Sequence, residues 1–116
     1  MKYLLLIYSD ESMDEGVTQE EQMAVLGAYN AYTQSLAEAG ILVEAEALQP
    51  TATATTVSVQ SGKTLTTHGP FAETTEQLGG YYRIDCENLD DAIAWAVKCP
   101  GASHGKIEIR PVIDFG

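Results

Sequence analysis

The chain has 116 residues, 45% of them hydrophobic and 20% charged, which leaves room for one globular core and lies well outside the disordered class. Six basic residues against seventeen acidic ones give a formal charge of −11, and so many carboxylates argue against direct binding to nucleic acid or to anionic lipid. No apolar run approaches the roughly 20 residues of a membrane span, and Cys86 and Cys99 lack the spacing of metal ligands.

Residues 3–8 form a short apolar run without alternation, the mark of a strand covered on both faces. The run is too short for a signal peptide and leads into Ser9-Asp10-Glu11 with no small-residue cleavage site. Together with free thiols this makes a reducing, cytoplasmic setting the expectation. Residues 9–17 read as an acidic loop. Thr18 and Glu21 then form a capping box, and Val25, Tyr29, Tyr32 and Leu36 follow at helical spacing, widened by Met23 and Leu26. Gly40 supplies a left-handed helix end.

Ile41–Leu48 alternates, with Val43, Ala45 and Ala47 opposed to Glu44 and Glu46, which predicts a strand. Thr55–Gln60 and Lys63–Thr67 form a hairpin about Ser61-Gly62. Residues 68–78, with Gly69-Pro70, read as an ordered connection. Gly79-Gly80 opens a strand in which Tyr82, Ile84 and Cys86 oppose Tyr81, Arg83 and Asp85. A second helix begins at the N-cap Asn88, favoured by Asp90 and Asp91 at its positive end. Leu89, Ala92, Ile93 and Ala96 form its expected buried stripe, and Pro100-Gly101 stops it. The last strand, Lys106–Ile113, turns Ile107 and Ile109 inward, with Pro111 marking an edge or bulge.

The expected fold is therefore α+β, one domain spanning residues 1–116. Its order is ferredoxin-like, β-α-β-β-β-β-α-β, with an inserted hairpin. Two helices cover only one face of such a sheet, yet Leu4 and Leu6 lie on one face of the first strand and Leu5 and Ile7 on the other. Each large apolar side chain left wet forgoes about 1.5–3 kcal/mol. A second copy packed face to face covers that loss, so a homodimer is expected. The competing arrangement folds the hairpin over that face in a monomer.

The polar strand face carries the candidate chemistry: Glu44, Glu46, Arg83, Asp85, Glu108 and Arg110. An Arg fork there suits a small polar or acidic ligand, with Glu46, Tyr81, Arg83 and Arg110 as candidate contacts and Tyr8 and Asp10 at the rim. A structural ion-pair network explains the same charges and is preferred. His68, with Glu73 or Glu76 to orient it, is the candidate acid–base group, weighed against a hydrogen-bonded loop histidine. Cys86 and Cys99 read as core thiols, and His104 as a solvent-facing loop residue. Asp10, Ser12, Asp14 and Glu21 fall at calcium-loop positions, but Glu15 stands where such a loop needs Gly. The acids are better explained as the approach to a helix N-terminus. No metal or cofactor is expected.

The segment His68-Gly69-Pro70-Phe71-Ala72-Glu73-Thr74-Thr75-Glu76-Gln77-Leu78-Gly79-Gly80-Tyr81-Tyr82 resembles the signature of the DGPF branch of the YCII-related proteins. The likeness extends over nearly the whole chain, from Lys2–Asp10 through Gly40–Pro50 and Thr53–Val59 to Asp90–Pro100 and Ile107–Val112. It implies a ferredoxin-like domain paired into a dimeric α/β barrel. It also implies two functional directions: enzymes resembling dehydrochlorinases or muconolactone isomerases, and a sigma-factor-linked response, since DGPF members are often encoded beside extracytoplasmic-function sigma factors. Two departures bear on the enzymes. The signature usually opens with Asp, here His68. Other branches carry a His on the first helix and an Asp before a Pro after the second; here the first helix has no His, and Cys99 precedes Pro100. The first expectation is therefore a dimeric binding module for a small ligand or a protein partner, and the alternative is an acid–base isomerase, lyase or dehydrochlorinase.

Overall fold

The computed structural model describes all residues, 1–116. Its elements follow the expected order: β1 (Lys2–Ser9), α1 (Gln19–Glu38), β2 (Leu42–Ala47), β3 (Thr55–Gln60), β4 (Lys63–His68), β5 (Gln77–Asp85), α2 (Leu89–Lys98) and β6 (Lys106–Pro111). Short 3₁₀ turns at Glu11–Asp14, Thr51–Thr53 and Pro100–Ser103 fill the connections. Four strands form an antiparallel sheet in the order β2-β5-β1-β6, the ferredoxin-like arrangement, while β3 and β4 form a separate two-stranded sheet. The hairpin thus stands off the open sheet face rather than folding over it.

Local chemistry explains the boundaries. The Thr18 hydroxyl accepts from the Glu21 amide, so one half of the expected capping box forms. The Asn88 side chain caps α2 by accepting from Asp91 N–H. Gly40, at φ +74°, takes the left-handed position that ends α1. The β3–β4 turn places Ser61 at φ 51° and Gly62 at φ 77°, both positive as a tight two-residue hairpin requires. Pro111 closes β6, an edge strand, where its missing N–H breaks no central ladder.

The core lies between the helices and one sheet face. Tyr3, Leu5 and Ile7 of β1 meet Tyr82 and Ile84 of β5, Tyr32 and Leu36 of α1, and Ala92, Ala96 and Cys99 beside α2. Tyr32 packs edge-on against Tyr82 with centroids 5.2 Å apart and donates to the Trp95 carbonyl, while Thr33 and Tyr82 share a hydroxyl hydrogen bond of 2.7 Å. These contacts pin the C-terminal half of α1.

Three expectations about side-chain direction change. On α1 only Tyr32 and Leu36 are buried; Met23, Val25 and Leu26 are exposed because the N-terminal half of this 20-residue helix overhangs the sheet. On α2 the small Ala92 and Ala96 make the close contact, leaving Leu89 and Ile93 outside the buried stripe. A bulge between Leu42 and Glu44 puts Leu42 opposite Ile84 and exposes Val43, so the simple alternation of β2 breaks there.

The chain is also open. Only 12 of its 116 residues are buried, and its accessible surface of 8343 Å² compares with about 6,200 Å² for a compact chain of this size. Its radius of gyration is 16.3 Å, against about 13 Å for a compact domain of this length.

Candidate functional site

A cleft lies under the overhang of α1, where the end of β1 meets β5 and β2. Here β1 and β5 slip register between Ile7 and Tyr8, leaving Gly79 as the extra residue. At the neighbouring Gly80 a Cβ would come within 2.8 Å of the Glu46 carbonyl oxygen. Only glycine lets β2 and β5 approach this closely, which sets the floor of the cleft.

The cleft encloses about 620 Å³. Val25, Leu26 and Tyr29 form its helical wall, and Ala45 and Tyr82 its floor. Ser9, Gln22, Asn30 and Gln77 add uncharged hydrogen-bonding groups, and Glu11 and Asp14 bring carboxylates to the lining, which holds no Lys, Arg or His. Glu46 borders the cleft through its backbone, its side chain falling on the opposite sheet face with Tyr81. The Glu11 carboxylate is already engaged, accepting from the Thr51 amide and hydroxyl at 2.9 and 2.8 Å, while the Glu11 amide donates to Gln77. Glu11 therefore clasps the rim together, and Asp14 remains without a hydrogen-bond partner.

At the deep end Tyr29 lies against Gly101 and Cys99. A Cβ at Gly101 would fall 2.7 Å from the Tyr29 hydroxyl oxygen, so a side chain there would displace the ring. Burial, reinforced by the neighbouring Cys99, pushes the Tyr29 hydroxyl up to about 12. Burial also raises the Cys99 thiol, against the weaker opposing effects of the Gly101 backbone and the Tyr29 hydroxyl. Both groups stay protonated at neutral pH, which suits hydrogen bonding and packing and not thiolate chemistry.

The candidate ligand contacts gather on the other side of the sheet. One row reads Glu44, Arg83, Leu4, Arg110 across β2, β5, β1 and β6; the next reads Glu46, Tyr81, Leu6, Glu108. Tyr8 lies farther along the same face, opposite Lys106. Tyr81 donates to the Glu44 carboxylate, and that hydrogen bond raises the Tyr81 hydroxyl. Arg83 and Arg110 reach no carboxylate within 4 Å, and the Arg83 Nε is buried without a hydrogen-bond partner. The expected ion-pair network thus does not close within one chain. Asp10 turns away from the group: its carboxylate caps the first 3₁₀ turn through the Ser12 amide and hydroxyl, and the Ser12 hydroxyl is the first cause of its lowered pKa.

His68 sits exposed at the end of β4, opposite Thr55, and hydrogen-bonds neither Glu73 nor Glu76. Glu76 instead pairs with Lys106, and Glu73 is exposed. The three residues do not assemble within one chain, and none lines the cleft. Sequence reasoning missed Tyr29, Glu11, Asp14 and Cys99 as a neighbourhood. The paired glycines were the available signal, and the meeting of Tyr29 with Cys99 joins residues far apart in the chain.

Along its full length, residues 1–116, the chain matches the family model of the YCII-related domain. It is also 40% identical over 114 residues to an uncharacterized protein of Rhizobium meliloti (strain 1021), an alignment that takes in 97% of this chain and 92% of that protein. No helix is long and apolar enough to cross a membrane. From its first residue to its last, the chain belongs to the YCII-related domain family.

Proposed function

We propose that this chain is a non-catalytic binding domain that works as a homodimer. Its cleft under α1 takes a small, largely apolar molecule bearing hydrogen-bond donors or a positive charge. The observation that carries the ligand reading is the cleft: its volume lies in the usual range for small-molecule sites, and Asp14 stands unpartnered at a rim without a cation. An acidic ligand, one of the options open from sequence, would meet uncompensated repulsion there. The acid–base alternative draws no support from His68, which lies outside this cleft.

The open strand face supplies the dimer contact. Leu4 and Leu6 lie there among charges that lack partners within their own chain, and the guanidinium groups of Arg83 and Arg110 are suited to carboxylates of a second copy. A sigma-factor-linked role would require such a dimer to report ligand occupancy to a protein partner.

Two measurements test the reading. Analytical ultracentrifugation should find a dimer at micromolar concentration, and Leu6→Glu should dissociate it by burying a charge at the contact. A wild-type monomer throughout that range would sink the dimer. Thermal shift against matched amines, amides and carboxylates should show stabilisation by amines or amides, about 2.7 kcal/mol at a hundredfold excess over Kd. Asp14→Asn should weaken the amines and spare the amides. Stabilisation by carboxylates alone would overturn the ligand reading.

A further inference from the structure

The hairpin β3–β4 is the part of the fold with least support from its own chain. Every residue of β4 is exposed, and of β3 only Thr56 is partly covered. Two hydrogen bonds tie its base: Gly69 N–H donates to the Ala54 carbonyl, and the Thr56 hydroxyl to the Gly69 carbonyl. An isolated two-stranded hairpin is marginal in water. This one nevertheless carries apolar residues at strand spacing. Val57 and Val59 share one face, at 60% and 66% exposure, and Phe71 just beyond the hairpin is 89% exposed.

Charge supplies a second observation. The chain carries seventeen acidic residues, yet from Ala47 to Ala72 there is none, and Lys63 is the one Lys or Arg in that stretch. Two copies at −11 each repel one another. A segment cleared of carboxylates is where such a chain can approach a second copy without adding to that repulsion.

Area supplies a third. Four strands about 4.8 Å apart and about 23 Å long present a flat face of about 450 Å². The surface in excess of a compact chain is roughly 2,200 Å², the scale of an obligate interface and several times what the face offers. The arm leaves the sheet from β2 and returns through β5, so it extends from the β2 edge of that sheet.

We infer that the β3–β4 hairpin is a dimerisation arm, laying its Val57–Val59 face and Phe71 against a second copy of this chain. The inference rests on the homodimer proposed above and adds a contact outside the stacked sheets.

The test measures dimer dissociation by ultracentrifugation in two variants: Val57→Glu with Val59→Glu, and a shortened chain in which Gly-Gly joins Thr56 to Thr67. Because β3 and β4 lie outside the core, the far-ultraviolet spectrum and dilute-solution melting of the body should be retained. The expected result is weakening on the order of 100-fold in each. Dimer affinity within about threefold of wild type in both variants, with Leu6→Glu still dissociating the dimer, overturns the arm and leaves the dimer standing. A wild-type chain that is monomeric throughout, or a hairpin that crosslinks from position 59 only to a different protein, overturns the arm as well.

Discussion

The two faces of the four-stranded sheet are built from the same strands and meet opposite conditions. Toward the helices, Tyr3, Leu5 and Ile7 of β1 are buried among tyrosines, alanines and Cys99, and the core contains no buried charge. On the reverse, Leu4 and Leu6 remain half-covered between Arg83, Arg110, Tyr81 and Glu108. One face is complete within a single chain, and the other has apolar and ionic groups without partners. An apolar side chain on the first face contributes to folding, and on the second, under the proposed homodimer, to association.

The sharpest way to break this contrast is to truncate β1 on either side. Leu5→Ala, at a fully buried site, should cost about 2–5 kcal/mol and lower the melting temperature of even dilute protein. Leu6→Ala should leave dilute melting nearly unchanged and weaken the proposed dimer. Equal melting losses at low concentration would show that the faces are not distinct. Alkali should act next, and on the helix side alone. Burial raises Tyr29 to about 12 and also raises Tyr32 and Tyr82, whereas in the unfolded chain all three ionise near 10. A raised folded pKa contributes stability that is fully present below pH 10 and is lost as pH climbs toward 12. Tyrosinate absorbance at those residues should therefore rise together with loss of the fold. Absorbance that develops while near-ultraviolet dichroism is retained would contradict this.

A smaller effect sharpens the account of the cleft. Gly80→Ala forces a methyl against the Glu46 carbonyl and should destabilise by about 1–3 kcal/mol while reducing amine binding. An unchanged melting temperature would mean that β2 yields freely at this point. The smallest expected change is Asn88→Ala, which removes the α2 cap and should cost about 1 kcal/mol, seen as a melting shift independent of protein concentration.

Most of the fold was legible from local chemistry. Thr18, Gly40, Ser61-Gly62, Asn88 and Pro111 mark element ends because each satisfies or blocks particular backbone geometry, whatever the rest of the chain does. Strand parity on β1 and β5 was equally readable and correctly separated Leu5 from Leu6 and Tyr82 from Tyr81. Parity failed on β2, where the bulge at Val43 depends on how the strand pairs with β5. The helical stripes failed at Val25 and Ile93 because periodicity states which residues share a face, not how far the packed surface beneath them extends. Of the site residues, Glu46 and Tyr81 were named from sequence, whereas Tyr29, Glu11 and Asp14 were not.

The sequence by itself determined the element order, the two-faced character of β1 and the absence of acids between Ala47 and Ala72, since periodicity, caps and composition are properties of neighbours along the chain. Only the tertiary structure decided where the cleft lies, that Tyr29 meets Cys99, that His68 stands apart from Glu76, and that the hairpin projects. Those facts depend on strand register and on the reach of α1, which are set by contacts between residues far apart in the chain.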